Sequence, residues 1–295
     1  ADLHAHLISL PFTLLALGLS IAVVSASMSR GRKKTDDILR LIILGIVVGS
    51  LRAINTWDYP TYMLISAAVV FVAAYVRRGG FGLLTLAEAG AKASLVFVVG
   101  YVAFLPFHMN YETFFNSLES TTNQTVLWQF LAISGLFVFI IGSFLVVESK
   151  EAWLPIWRTA RRGALAVAQV GPTVNDPVGF QDARPIGFMR VGLIAAVAAI
   201  ALISLSVFVS GRTGSTIPFL IVLEAMVLVA GIRLLTRPAL EAPHTIYVLV
   251  LIGVALALAV GLDIFRVEGD IDRMNSVFKV YLQIWVLLAL AASYL

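Results

Sequence analysis

Cysteine is absent from the sequence, which excludes disulfides, thiolate metal sites and cysteine-ligated iron–sulfur clusters. Charge is scarce: 13% of the residues are Asp, Glu, Lys or Arg, against about a quarter in a soluble domain. Histidine is scarcer still, with four in the chain, and none falls in the middle of an apolar run. Haem or chlorophyll held by histidine inside a bilayer is therefore not expected. The formal net charge of +4 comes from basic residues scattered over many short segments. That is not the concentrated basic face that nucleic acid requires. The short alternating segments of a transmembrane β-barrel are missing as well.

What is present is apolar. Hydrophobic residues make up 60% of the 295 positions, and mean hydropathy is +0.95, the composition of an integral membrane protein. A spanning helix needs roughly 20 mostly apolar residues. About nine runs qualify: 7–28, 38–54, 59–76, 92–108, 127–147, 190–210, 217–236, 244–262 and 275–295. Several carry Gly and Ala, which permits close helix–helix approach in lipid. The expected fold class is all-α: a polytopic membrane protein with a single helical transmembrane domain over 1–295.

Lys and Arg set the direction. With the N-terminus outside, Arg52, Arg212, Arg266, Arg273 and Lys279 are the outer basic residues, and the rest of the 21 fall inside. The expected location is the cell membrane, crossed many times. The start at Ala1 resembles no signal peptide, and Leu295 stops inside an apolar run, so the chain reads as a segment of a longer protein. The inner segment 148–189 is longer than a turn. Within it, "KEAWLPIWRTARRGALAVA" (150–168) sets Trp153 and Trp157 near Arg158, Arg161 and Arg162, the pattern of an interfacial amphipathic helix on an anionic leaflet. Residues 171–185 then read as a loop. "FGLLTLAEAGAKA" (81–93) reads as a second short interfacial helix.

The unusual chemistry collects on the expected outer side, in "DLHAH" (2–6), "NTWDYP" (55–60), "PFHMNYETFFNSLESTTNQT" (106–125) and "LDIFRVEGDIDRMNSVFK" (262–279). Asp2, His4 and His6 are hard-to-borderline metal ligands, and in an extended chain alternate residues share a face. They are candidates for a divalent metal; the plain alternative is polar residues at a wet boundary. Trp57, Tyr59 and Tyr62 suit an aromatic belt, Pro60 suits a first helical turn, and Asp58 suits a helix start. Arg52 and Asn55 do not fit that bland account. They lie on the last turn of an inserted helix, where a polar face looks into protein or water. Asp272, Asn275, Lys279 and Gln283 fall within about an 80° arc of one helix. Lys279 lies inside the apolar zone, where a cation costs on the order of 3 kcal/mol at mid-bilayer. It either snorkels outward or lines a polar cavity with its neighbours. Glu224 sits mid-span and needs a partner or a proton. "NQT" (123–125) fits a glycosylation sequon.

"DLHAHLISLPFTLLAL", "NTWDYPTYMLI" and "DRMNSVFKVYLQIWVLLALAASY" resemble signature stretches of the YYY-type family. These are large polytopic membrane proteins of bacteria and archaea, of unknown function, named for a run of tyrosines that this chain lacks. The resemblance runs from Ala1 to the end. It implies a relationship to the GT-C class of membrane glycosyltransferases, which take a sugar from a polyprenyl-phosphate donor outside the membrane and keep their catalytic carboxylates in outer loops. It also implies further membrane helices before Ala1, with the main acidic motif among them. Asp2, His4, His6, Asn55, Trp57, Asp58, Arg273, Asn275 and Lys279 fall within the matching words.

Whether the chain is an enzyme stays open at this point. As a GT-C-like glycosyltransferase it would need a carboxylate base, for which Asp58 and Asp2 are the candidates. Substrate contacts would come from Arg52, Asn55, Trp57, Arg266, Arg273, Asn275, Lys279 and Gln283, with the cations steadying a leaving phosphate. Asp2, His4 and His6 would hold the metal. The partners would be the bilayer and a lipid-linked sugar donor. The alternative is a non-catalytic structural or accessory subunit, in which the polar stripes satisfy one another and the chain meets other membrane subunits or the remainder of its own polypeptide. A transporter would use Glu224 and the Lys279 stripe, but matching Gly/Pro-broken helices are lacking. The enzyme reading requires the four outer segments to share one cavity.

Overall fold

The computed structural model describes residues 4–29, 31, 33–112, 117–121, 123–169, 216–235 and 243–295, and of 150–169 the backbone alone. Along the chain these form α1 (Ala5–Ser27), α2 (Lys34–Ile54), α3 (Asp58–Arg78), α4 (Leu83–Ala103), α5 (Leu105–Asn110), β1 (Leu118–Ser120), α6 (Leu127–Gln169), α7 (Ile217–Leu235), α8 (Pro243–Ile264), β2 (Phe265–Val267) and α9 (Met274–Tyr294). The chain divides into two compact units, one holding α1–α5, β1, α8, β2 and α9, the other α6 and α7.

Among the described residues, seven helices are long and apolar enough to cross a membrane: α1, α3, α4, the stretch Leu127–Ser149 of α6, α7, α8 and α9. Two of the nine expected runs are not among them. The run 38–54 is helical within α2, but α2 carries Lys34, Asp36, Asp37 and Arg40 at its start and Arg52 at its end, so it is more charged than the other seven. The run 190–210 lies outside the described residues. The chain is an all-helical polytopic membrane protein. The expected interfacial helix over 81–93 is not a separate element. Its residues continue into α4, which runs unbroken to Ala103. The break comes at Phe104, because Pro106 has no N–H to continue the helix and disfavours helical backbone just before it. A new helix, α5, starts there with Pro106 in its first turn. The α6 backbone stays helical through Gln169, and 170–189 lies outside the described residues.

In the first unit α3 packs on α1, α2, α4 and α8, and α8 packs on α1, α3 and α9. Of the described spanning helices α8 is the most buried. It is apolar on every side, which is the pattern of a helix with no polar neighbour to face, and 61% of its most apolar stretch is buried, against 22% for α4. Its Tyr247 hydroxyl donates to the Leu17 carbonyl at 3.0 Å. His244 Nε2 and the Ser25 hydroxyl share a hydrogen bond of 2.9 Å. The α2–α4 contact is built on glycine. Gly45 and Gly49, four residues apart on α2, face Gly100 on α4; a methyl group at Gly49 would lie 2.5 Å from the Gly100 carbonyl oxygen, and one at Gly100 2.7 Å from that of Gly45. Small residues at this spacing let two backbones touch without a side chain between them. In the second unit α6 packs on α7, and Arg233 bonds the Glu148 carbonyl at 2.9 Å and its carboxylate.

Gly49→Ala is expected to destabilise the first unit by about 1–3 kcal/mol through overpacking, seen as a lower Tm in detergent. Gly18→Ala, where the added methyl meets nothing within 4 Å, is the matched substitution and should leave Tm within error.

Candidate functional site

At one end of the first unit, two segments far apart in sequence form a small sheet. β1 and β2 pair antiparallel, with Leu118 opposite Val267, Glu119 opposite Arg266 and Ser120 opposite Phe265. Ser117 donates its hydroxyl to the Glu268 carboxylate at 2.6 Å, and Arg266 forks onto Glu119 at 3.1 and 3.2 Å. This sheet walls a cavity of about 620 Å³. The other walls come from Ala5 of α1, from Asn55, Thr56 and Trp57 between α2 and α3, from Phe107 and Tyr111 around α5, and from Lys279 of α9. All four polar segments singled out in the sequence therefore reach one space.

Lys279 is half-buried, and its ammonium lies 5.1 Å from the centre of the Trp57 ring, a cation–π distance. One turn further along α9, Gln283 is buried and donates its amide to the Trp57 carbonyl at 3.3 Å. Arg52 stacks over Tyr59 at 5.9 Å. Asp58 is the first residue of α3 and is 2% exposed. It does not line the cavity: Ser9 of α1 donates to it at 2.5 Å, and the Asn55 amide adjoins it. His4 and His6 stack on each other at 5.3 Å with planes 15° apart, and both meet the edge of Phe278 on α9. His6 is within electrostatic reach of Asp58 and Lys279.

Two of the expected substrate cations are already engaged. Besides Arg266, Arg273 is 6% exposed and donates to the Leu262 carbonyl at 2.7 Å and to Asp263 at 2.8 Å. Asn275 is exposed and contributes its backbone N–H to Asp270. Of the expected metal set, His4 and His6 are among the described residues. No group of three His, Cys, Asp or Glu has metal-holding geometry there. Asp2, candidate for both metal and base, lies outside the described residues.

Sequence reasoning passed over Asp270. Its carboxylate accepts the N–H groups of Asn275 and Ser276 at 3.0 and 2.8 Å and the Ser276 hydroxyl at 2.6 Å. It thereby closes the open N–H end of α9. Burial acts to raise its pKa, but these donors outweigh burial and hold the carboxyl below its ordinary value. An Asp placed a few residues ahead of a long apolar run was the available signal. His108 was also missed. It stacks on Tyr101 at 4.7 Å, and burial and the Arg52 cation lower its pKa.

A second, apolar groove of about 330 Å³ adjoins the cavity. The two share Trp57, Pro60, Leu118 and Val267. The groove continues past Leu64 of α3 and Val254, Leu258 and Gly261 of α8, so it runs toward the apolar middle of the helices.

A family model described as "Uncharacterized membrane protein (DUF2298)" matches residues 1–288. The chain belongs to this family. Comparisons with curated proteins and with solved structures give no match. The DUF2298 match together with seven candidate spans makes this a multi-pass membrane protein.

Two outcomes follow for this DUF2298 site. Arg273→Ala strips the Asp263 carboxylate of its guanidinium and should cost about 3–5 kcal/mol, measured by thermal or denaturant unfolding. The Asp270 carboxyl has a folded pKa below its unfolded one. Its stabilisation is therefore present above the unfolded value and is lost as pH falls through the folded one, below about pH 4. Asp270→Asn should lower Tm at neutral pH and flatten the acid limb of the Tm profile.

Proposed function

We propose that the cavity end of the first unit binds a lipid-linked ligand with an anionic headgroup at the outer face of the membrane, and that the chain is a GT-C-like glycosyltransferase component acting on a polyprenyl-phosphate-linked sugar. The observation that carries this reading is continuity. A cavity into which Lys279, Asn55 and Thr56 bring polar groups shares a wall with an apolar groove along α3 and α8. An amphiphile needs both, side by side, and both volumes lie within the usual range of about 300–1,000 Å³ for ligand sites.

Chemically, the cation of Lys279 has no carboxylate in ion-pair contact among the described residues and rests on an aromatic face. A phosphate oxygen would be a stronger partner. In sugar transfer, a base takes the acceptor hydroxyl proton, the acceptor oxygen bonds the anomeric carbon, and the bond from that carbon to the phosphate oxygen breaks. Lys279 then steadies the departing polyprenyl phosphate. Asp58 serves as base only if its bond to Ser9 opens toward the acceptor, since it stands behind the wall made by Asn55 and Trp57. Trp57 and Tyr111 line the cavity and offer faces for sugar rings. Lys34, Arg40, Arg77 and Lys92, gathered at the opposite end, support an orientation with this end outside.

A second reading draws on a specific observation. Arg266, Arg273 and Asp58 are paired inside the protein with Glu119, Asp263 and Ser9. Groups that satisfy one another are what a non-catalytic accessory subunit would show.

The test uses a photoactivatable polyprenyl phosphate and the longest available form of the protein. Lys279→Met and Leu258→Trp, which fills the groove, should each reduce labelling about tenfold or more, the scale of one lost charge-assisted hydrogen bond. Undiminished labelling in both variants removes the site. Labelling that depends on both residues, with no sugar transferred from lipid-linked donors and no effect of Asp58→Asn, leaves the accessory reading.

A further inference from the structure

The opposite end of the first unit holds another cavity, which the proposed site does not use. It measures about 300 Å³ and lies where the end of α1, the start of α2, the end of α3 and α4 come together. Ser27, Lys34, Asp37, Arg40, Arg77 and Lys92 supply its polar wall. Four cations from three helices thus share a small space with one carboxylate, and like charges this close repel.

The protein limits that repulsion without cancelling it. Glu88 on α4 gathers Arg77, Arg78 and Lys92, the last two at 2.8 and 3.0 Å. Asp37 stands 3.8 Å from Arg40 Nη1, too far for a hydrogen bond. Arg40 Nη1 is shielded from solvent and has no hydrogen-bond acceptor among the described residues. Buried donors are nearly always paired, so this nitrogen marks a place for an oxygen that none of the described residues supplies. The cluster keeps a positive excess even with both carboxylates counted.

The surroundings decide what brings that oxygen. On the first turns of α2, Ile38 and Leu39 are 49% and 56% exposed beside Asp37 and Arg40, and at the α3–α4 turn Phe81 and Leu83 are 73% and 82% exposed. Large apolar side chains left open around a charged cavity, at the ends of spanning helices, place it at the level where headgroups meet acyl chains. Free phosphate would draw nothing from these apolar flanks.

We propose that this cavity binds the phosphate of an anionic phospholipid headgroup, with Lys34 and Arg40 as its direct contacts and Arg77 and Lys92, held by Glu88, as the preformed wall behind it. The lipid would lie along α2, with its acyl chains against Ile38 and Leu39. The site is independent of the lipid-linked ligand proposed for the other end, and each stands without the other.

Native mass spectrometry of the full chain reads lipid retention directly, with phosphatidylglycerol and phosphatidylcholine offered in equal amounts. The unsubstituted protein should retain the anionic lipid in preference. Lys34→Gln and Arg40→Gln should each reduce that retention about fivefold, the scale of one basic residue at an anionic surface. Lys33→Gln, one residue along and outside the cavity wall, should leave it unchanged. Lys34 is exposed, so its variant keeps the test available if Arg40→Gln does not fold. Equal retention of the two lipids overturns the proposal. So does an equal loss in Lys33→Gln and Lys34→Gln, which would mean a diffuse surface field. Displacement of the lipid by inorganic phosphate, with no dependence on acyl chains, overturns the assignment to lipid.

Discussion

A guanidinium with almost no access to water must find its acceptors inside the protein. Arg273 finds them at the end of the preceding helix, in the Leu262 carbonyl and the Asp263 carboxylate. To reach them it adopts φ +70°, next to Asp272 at +47°, a region that non-glycine residues rarely occupy and that costs on the order of 1–3 kcal/mol. The cavity end depends on this tie. It holds the end of α8 to the start of α9, and β2 lies between the tied ends as a short edge to which β1 adds. Asp270, in the same turn, closes the N–H end of α9. Together they fix where α9 begins and so bring Lys279 to Trp57.

The two ends of the first unit treat charge differently. At the cavity end most charges are matched: Arg266 by Glu119, Arg273 by Asp263 and Asp58 by the Ser9 hydroxyl. Arg52 and Lys279 rest instead on aromatic rings, contacts weaker than an ion pair and easier to exchange for a ligand. At the other end cations outnumber acids around a shared cavity. Both excesses lie at helix ends, where water and headgroups lower the cost of a charge. In the middle of the helices of the first unit the packing is apolar, with glycine at the tightest contact.

Much of the fold was legible because hydropathy sums over about 20 residues, and a sum is insensitive to local error. The apolar runs emerged as helices wherever the structure describes them. The expected run 92–108 passed over the boundary between α4 and α5, although Pro106 was there to mark it. Gly45 and Gly49 also carried a visible spacing, yet their partner Gly100 could not be read from α2 alone. Asp58 was correctly placed at a helix start, but its hydroxyl partner Ser9 is 49 residues away. The pairings of Arg266 and Arg273 were hidden for a similar reason: a sequence shows that a cation is present and not whether an acid lies opposite.

Composition and periodicity along one chain are enough to fix the solvent of this protein, its helical architecture and the residues too polar to lie idle in lipid. Tertiary structure decided which of those polar residues are occupied and which face open space. That distinction depends on distances between helices, and charge and hydrogen-bond energies change over a few ångströms that no linear pattern encodes.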